Sequence, residues 1–282
     1  MGAAMIQTTS PKKLLEKYHL KPHKGLGQNF LSDDAVLSGI ADAAGIPENA
    51  QVLEVGPGLG SLTRHLAERA ARVVAVELDN DLIPVLRKEF ADCPNVEIVH
   101  NDILKFSPDE YFPDSDYYVA ANIPYYITSA VIRHLLEGKA RPKQLALTVQ
   151  KEVAERICAA PGKMSLLSLS VQVYGRADIP MIIPADAFYP VPNVDSAVVR
   201  IELYDEPLVP PDQMDDFFAL AKAGFGQKRK TLRNSLSSNL HISGSEAEAM
   251  LNRAGIDPMR RAETLTIEEW NRLREVTGVF PK

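Results

Sequence analysis

Residues 51–60 read QVLEVGPGLG. Gln51–Val55 is a short apolar run that stops at glycines, the pattern of a strand buried on both faces. Outward from it, the chain alternates. Ser61–Ala70 carries apolar residues at helical spacing, and Arg72–Glu77 is again β-branched. Asp79 is placed to cap a helix running to Phe90. Val96–His100 and Tyr117–Ala121 read as strands, Ile127–Glu137 as a helix ended by Gly138, Gln144–Val149 as a strand and Lys151–Ala159 as a helix. Alternation of this kind predicts an α/β fold with a doubly wound, mostly parallel sheet. Ala177–Ile183 and Ser196–Leu203 predict a closing antiparallel pair. After the Pro-rich 204–211 only helices are expected: Gln213–Ala223, Lys230–Leu240, Ser245–Ala254 and Ile267–Val276. The expected domains are a basic N-terminal arm (1–25), an α/β domain (26–205) and a small all-α C-terminal domain (206–282).

Of the 282 residues, 45% are hydrophobic and 24% charged, an ordinary globular balance that excludes collagen-like and wholly disordered chains. No apolar run is long enough to span a bilayer, and the N-terminus MGAAMIQTTSPKK lacks a signal-type apolar core. Cys93 and Cys158 match no zinc spacing and no disulfide framework, so no metal and a reducing cytoplasm are expected. The net charge of −6 argues against nucleic acid as a partner. The distribution argues otherwise. Lys12, Lys13, Lys17, Lys21 and Lys24 face only Glu16, and residues 222–233 hold Lys222, Lys228, Arg229, Lys230 and Arg233 without an acid. Such runs are either solvated faces or local footprints for a polyanion. Residues 1–15 are expected to be disordered until such a polyanion binds.

The glycines let backbone approach a ligand at the carboxyl end of the first strong strand; the plain alternative is a tight turn. Their G-x-G-x-G spacing is not the dinucleotide fingerprint. Glu77 ends the next strand, where a carboxylate can accept from both ribose hydroxyls. Asp102 closes the third, where it can accept from an adenine amine or merely cap a turn. Together they suit an adenosine-bearing ligand. Asn122-Ile123-Pro124-Tyr125 closes the fourth strand. An exocyclic adenine amine is a poor nucleophile because its lone pair is delocalised into the ring. Two acceptors, the Asn122 side-chain oxygen and the Ile123 carbonyl, would bind its hydrogens and localise that pair. Pro124 stiffens the turn, and Tyr125 offers a face for the base. The plain alternative is an Asn turn beside packed tyrosines.

The sequence resembles the small-subunit ribosomal RNA adenine dimethyltransferases (the KsgA/RsmA family), within the class I S-adenosylmethionine-dependent methyltransferases. The resemblance covers roughly residues 20–275. It rests on GLGQNFL (25–31), VLEVGPGLGSLT (52–63), Val76–Asp79, His100–Ile103, Asn122–Tyr126, VQKEVAER (149–156), FYPVPNVDSAV (188–198) and QKRKTLRNSL (227–236). It implies a seven-stranded sheet and S-adenosyl-L-methionine as methyl donor. Asn29 and Leu31 would line the methionine end of the cofactor site. Gly56 and Gly58 would approach methionine and ribose, Glu77 and Leu78 the ribose, and Asp102 and Ile103 the adenine. Asn122 would bridge cofactor and target, with Tyr125 and Phe188 sandwiching the flipped adenine. The substrate would be two adjacent adenines in a hairpin loop near the 3′ end of small-subunit (16S) rRNA, within an immature small subunit, the enzyme acting as a monomer. Lys228, Arg229, Lys230 and Arg233 would grip rRNA phosphates.

Met164 and Ser165 stand where the family carries Tyr-Gly, so a loop beside the RNA cleft is expected to differ in shape. Large-subunit rRNA adenine methyltransferases of the macrolide-resistance type share several of these motifs. The PVPNVDSAVV and KRKTLRNSL stretches favour the small subunit. A mainly non-catalytic ribosome-assembly factor is the alternative from another class, against which intact Glu77, Asp102 and Asn122 speak.

Overall fold

The computed structural model describes residues 10–114 and 116–277. In order, the chain forms α1 (Pro11–Lys17), β1 (Phe30–Leu31), α2 (Asp34–Ala43), β2 (Gln51–Val55), α3 (Ser61–Ala67), β3 (Arg72–Glu77) and α4 (Ile83–Glu89). Then come β4 (Val96–His100), α5 (Pro108–Tyr111), β5 (Tyr117–Asn122), α6 (Thr128–Glu137), β6 (Gln144–Gln150) and α7 (Lys151–Ile157). Next are α8 (Leu166–Gln172), β7 (Gly175–Ile183), β8 (Phe188–Tyr189) and β9 (Ser196–Leu203). Four helices follow: α9 (Met214–Phe225), α10 (Leu232–Leu240), α11 (Gly244–Arg253) and α12 (Ile267–Thr277).

Seven strands pair in the order β4-β3-β2-β5-β6-β9-β7. The first five run parallel, and β9 runs antiparallel to β6. Val52, Leu53, Val73, Val74, Val119 and Ala120 are all fully buried, because helices cover both faces of a parallel sheet. From β2 the chain steps outward to β3 and β4, then crosses back to β5 on the other side of β2. That makes the β2/β5 junction the switch point where a crevice opens at the carboxyl ends of the strands. The register brings those ends level: Val55 pairs with Val76 and Ala121, and Glu77 with His100.

Sequence patterning passed over the α2 segment and the small second sheet, in which β1 pairs with β8 across more than 150 residues. Two-residue strands carry no periodicity, so no local signal marks them. α2 is capped by Asp33, whose carboxylate accepts from the N–H groups of Ala35 and Val36. α4 starts three residues later than expected, at Ile83 rather than after Asp79. Asp79 accepts instead from the N–H of Asp81 in a tight turn, and Pro84 at the helix's second position takes over the N-terminal role.

The expected basic arm is also corrected. Residues 11–17 are helical, and Leu14 and Leu15 are buried with Phe30, Leu59, Leu82, Leu86 and Phe90. Residues 1–9 lie outside the described part.

Two compact units emerge. Among the described residues, one comprises the chain up to Ala154 together with Ala177–Leu203; the other comprises Glu155–Arg176 and the chain from Tyr204 onward. Residues 155–176, expected with the α/β domain, therefore group with the helices. The reason is hydrogen bonding: Gly162 and Met164 donate to the Glu263 carbonyl, Tyr204 to Tyr174 and Leu208 to Val173. Within this unit α9–α12 close around Trp270, which is fully buried and stacked on Phe225. Among the described residues no helix is long and apolar enough to cross a membrane.

Candidate active site

A cavity of about 1040 Å³, mouth included, opens at the switch point of the α/β unit. It is walled by Leu26–Leu31, Glu54–Leu59, Val76–Leu78, Asn101–Ile103 and Asn122–Ile127. The structure thus brings Asn29, Leu31, Gly56, Gly58, Glu77, Leu78, Asp102, Ile103, Asn122 and Tyr125 around one space. Each reaches it for a topological reason, since four of those segments follow or end β2, β3, β4 and β5.

Gly56 has φ +68°, and a Cβ built on it would meet nothing within 4 Å. The backbone there is bare toward the cavity, as a closely approaching ligand requires. Gly58 serves packing as well: with φ +62°, its Cβ would come within 3.0 Å of the Phe30 ring. Its N–H donates to Glu77 Oε2 at 3.0 Å, while the Asp79 N–H donates to Oε1 at 2.8 Å. Burial pushes the Glu77 carboxyl up, and those two backbone donors oppose it. Each carboxylate oxygen still has a lone pair for a hydroxyl donor. Asp102 combines both readings of its position. Its Oδ1 accepts from the Leu104 N–H at 3.0 Å, closing a turn, and the residue still lines the cavity.

Asn122 ends β5 and donates through Nδ2 to the Asn29 carbonyl at 2.9 Å. That bond fixes the amide plane and leaves Oδ1 as its acceptor. The following Pro124 holds an extended backbone (φ −54°, ψ 129°) before the short turn Tyr125–Ile127. Tyr125 donates to or accepts from Ser196 Oγ at 2.7 Å, and burial raises its phenol, so the ring stays neutral and oriented.

Phe188 departs from its expected place. It does not line the cavity; it is 2% exposed, packed with Leu31, Leu37, Ile183 and Val198. The β1–β8 register pairs Leu31 with Phe188 in that buried cluster, and of the two only Leu31 also reaches the cavity. Lys228, Arg229 and Lys230 are exposed just before α10, in the helical unit. Arg233 is engaged by Glu248 at 2.9 Å and is not a free cation. Met164 is buried and Ser165 caps α8 in a reciprocal pair with Ser168, which fixes the end of the loop that precedes this helix.

Gln28 and Glu54 are among the cavity residues that had no assigned role in the sequence. Gln28 accepts from the His23 N–H and donates to Asp79, which ties the 23–28 segment to the β3 turn. Glu54 is 1% exposed, its Oε2 has no partner, and burial pushes its carboxyl up to about 8. A carboxylate in the middle of an apolar strand was the available signal for it.

The ribosomal RNA adenine dimethylase family matches residues 19–277. A ribosomal RNA small subunit methyltransferase A from Dehalococcoides mccartyi (strain CBDB1) is 50% identical over 263 residues, covering 93% of this chain and 90% of the relative. Its counterpart from Alkaliphilus oremlandii is 44% identical, covering 94% and 96%. Among solved structures, a 23S rRNA methyltransferase, ErmE, superposes with a TM-score of 0.72 at 30% identity, over 88% of this chain and 99% of the other. With that span and those identities, the chain belongs to the ribosomal RNA adenine dimethylase family.

Proposed function

We propose that the chain, as an S-adenosylmethionine-dependent rRNA adenine N6,N6-dimethyltransferase, modifies two adjacent adenines of a hairpin loop near the 3′ end of 16S rRNA. It would act as a monomer, in the cytoplasm, on an immature small subunit. The observation that carries this is the convergence of Gly56, Glu77, Asp102 and Asn122 on one cavity, with the Asn122 amide already oriented by Asn29.

The bare backbone at Gly56 and the buried acceptor Glu77 fit the cofactor: Gly56 gives close approach, Glu77 accepts from ribose hydroxyls and Asp102 from the adenine amine. S-adenosylmethionine supplies an electrophilic methyl on a sulfonium. In the first transfer Asn122 Oδ1 and the Ile123 carbonyl accept the two N6 hydrogens, in the second one of them accepts the hydrogen that remains, and each time the nitrogen is drawn toward tetrahedral geometry. Charge then develops on nitrogen beside two oriented dipoles, which is where preorganised acceptors lower a barrier. The methylated nitrogen is acidic and sheds its proton, so no strong base is required of the chain. Tyr125, locked by Ser196, supports one face of the extruded base. Phe188 closes the other face only if β8 shifts it out of the buried cluster it shares with the cavity-lining Leu31 and Leu37. Lys228, Arg229 and Lys230 hold RNA phosphates.

The test is methyl transfer to immature small subunits lacking the modification, with nucleosides analysed by mass spectrometry. N6,N6-dimethyladenosine is expected. Absence of transfer despite cofactor binding overturns the reading. The likeness to ErmE motivates one competing reading, methylation of large-subunit RNA. Primer-extension stops on 16S rather than 23S rRNA decide between them.

A further inference from the structure

We infer that Tyr126 is a stacking platform at the cavity mouth for the base adjacent to the target adenine, a positioning residue for RNA and not for the methyl donor. The inference rests on the rRNA-adenine reading above.

The chain places two tyrosines in tandem after Pro124, and the structure treats them oppositely. Tyr125 is drawn inward and bonded through its hydroxyl to Ser196 at 2.7 Å. Tyr126 also lines the cavity, yet it is 62% exposed. Its position is nonetheless defined. The backbone is held by the turn Tyr125–Ile127 behind Pro124. The ring rests on Gly27, where a Cβ would come within 3.3 Å of Cδ1 and Cε1. Gly27 has φ +63°, so glycine serves that turn twice: it admits the conformation and leaves room for the ring. One side of the aromatic ring is therefore seated on backbone and the rest is offered to solvent at the rim.

An apolar ring held in water forgoes burial it could otherwise gain. A base supplies that cover, since every base has a π-face. The substrate creates the need. When one adenine of an adjacent pair is extruded into the cavity, its neighbour loses a stacking partner and lies one phosphate away, at the mouth. A rigid tyrosine there replaces the lost stack at low entropic cost, having only two torsions to fix. In a pair methylated at both members, each adenine in turn becomes the neighbour.

The experiment compares wild type, Tyr126→Ala and Tyr126→Trp on two substrates: unmodified small subunits with the natural adenine pair, and subunits with one adenine of the pair replaced by uracil, the poorer stacker. Tyr126→Ala should raise KM for the natural subunit roughly tenfold, the size of one lost stack, with kcat little changed. Equilibrium affinity for S-adenosylmethionine should stay within twofold. Tyr126→Trp should restore KM. The uracil replacement should cost wild type several-fold and Tyr126→Ala nothing further. Equal uracil penalties in wild type and Tyr126→Ala overturn the proposal, as does failure of Tyr126→Trp to restore KM. Loss of cofactor affinity in Tyr126→Ala also overturns it, because the ring would then be support for the Gly27 turn. No methylation of natural subunits by wild type overturns the functional reading, and this inference with it.

Discussion

Asn122 shows how a single amide is prepared for its work. Its donor is taken by the Asn29 carbonyl, so the acceptor is the atom left over. Asn122→Ala should abolish methyl transfer while equilibrium binding of S-adenosylmethionine stays within several-fold; retained turnover would refute the amine-binding role. Glu54 lies deeper in the same wall. Ionised above about 4.5 in an unfolded chain, it ionises only near 8 when buried here. The unfolded chain therefore releases its proton first, and the folded state loses stability as pH rises through that window. Glu54→Gln should remove that slope, worth roughly 4 kcal/mol at most between pH 5 and 8. Denaturant titrations of the free protein at both pH values measure it; parallel curves for the two proteins would refute the assignment. The roles proposed for Glu77, Asp102 and Asn122 were legible because strand ends are legible. Phe188 was not, since its inward turn depends on a β1–β8 register that no local pattern encodes.

At the level of elements, α1 is the part whose charge misled. Lys17 was counted in a basic footprint, yet it donates to Glu89 at 2.8 Å, beside Tyr18 at 2.6 Å and Arg64 at 2.9 Å. Burial by itself would raise the Glu89 carboxyl, but these three donors outweigh it and hold it at about 2. The carboxylate's contribution is present above about 4.5 and is lost as pH falls toward 2. Glu89→Gln keeps the shape but leaves Lys17 and Arg64 without a counter-charge. It should cost ~1–3 kcal/mol at neutral pH. It should also raise the rate of trypsin cleavage at Lys12, Lys13 and Lys17. Unchanged cleavage would mean that Leu14 and Leu15 alone hold the helix.

For the molecule as a whole, the net charge of −6 makes any grip on RNA local. The run before α10 is the exposed candidate, and Arg233 is withdrawn from it by Glu248. Replacing Lys228, Arg229 and Lys230 with Gln should weaken binding to small-subunit RNA. It should also flatten the salt dependence by up to ~3 phosphate contacts' worth of slope. A slope equal to wild type would make the run a solvated face. Residues 155–176 carry the same lesson at larger scale: their grouping with the helices follows from bonds to Glu263, Tyr204 and Leu208, all distant in sequence.

By itself the sequence determined the parallel sheet, the ends of its strands, the late helices and the cavity-lining tetrapeptide Asn122–Tyr125, because each is written in contiguous periodicity or in residues at a strand terminus. Only the tertiary structure decided which side chains face the cavity. It turned Phe188 inward and left Tyr126 at the rim, bound Lys17 to Glu89, isolated Glu54 and moved 155–176 to the helical unit. Those outcomes depend on contacts between residues far apart in the chain, whose geometry exists only after the sheet has closed.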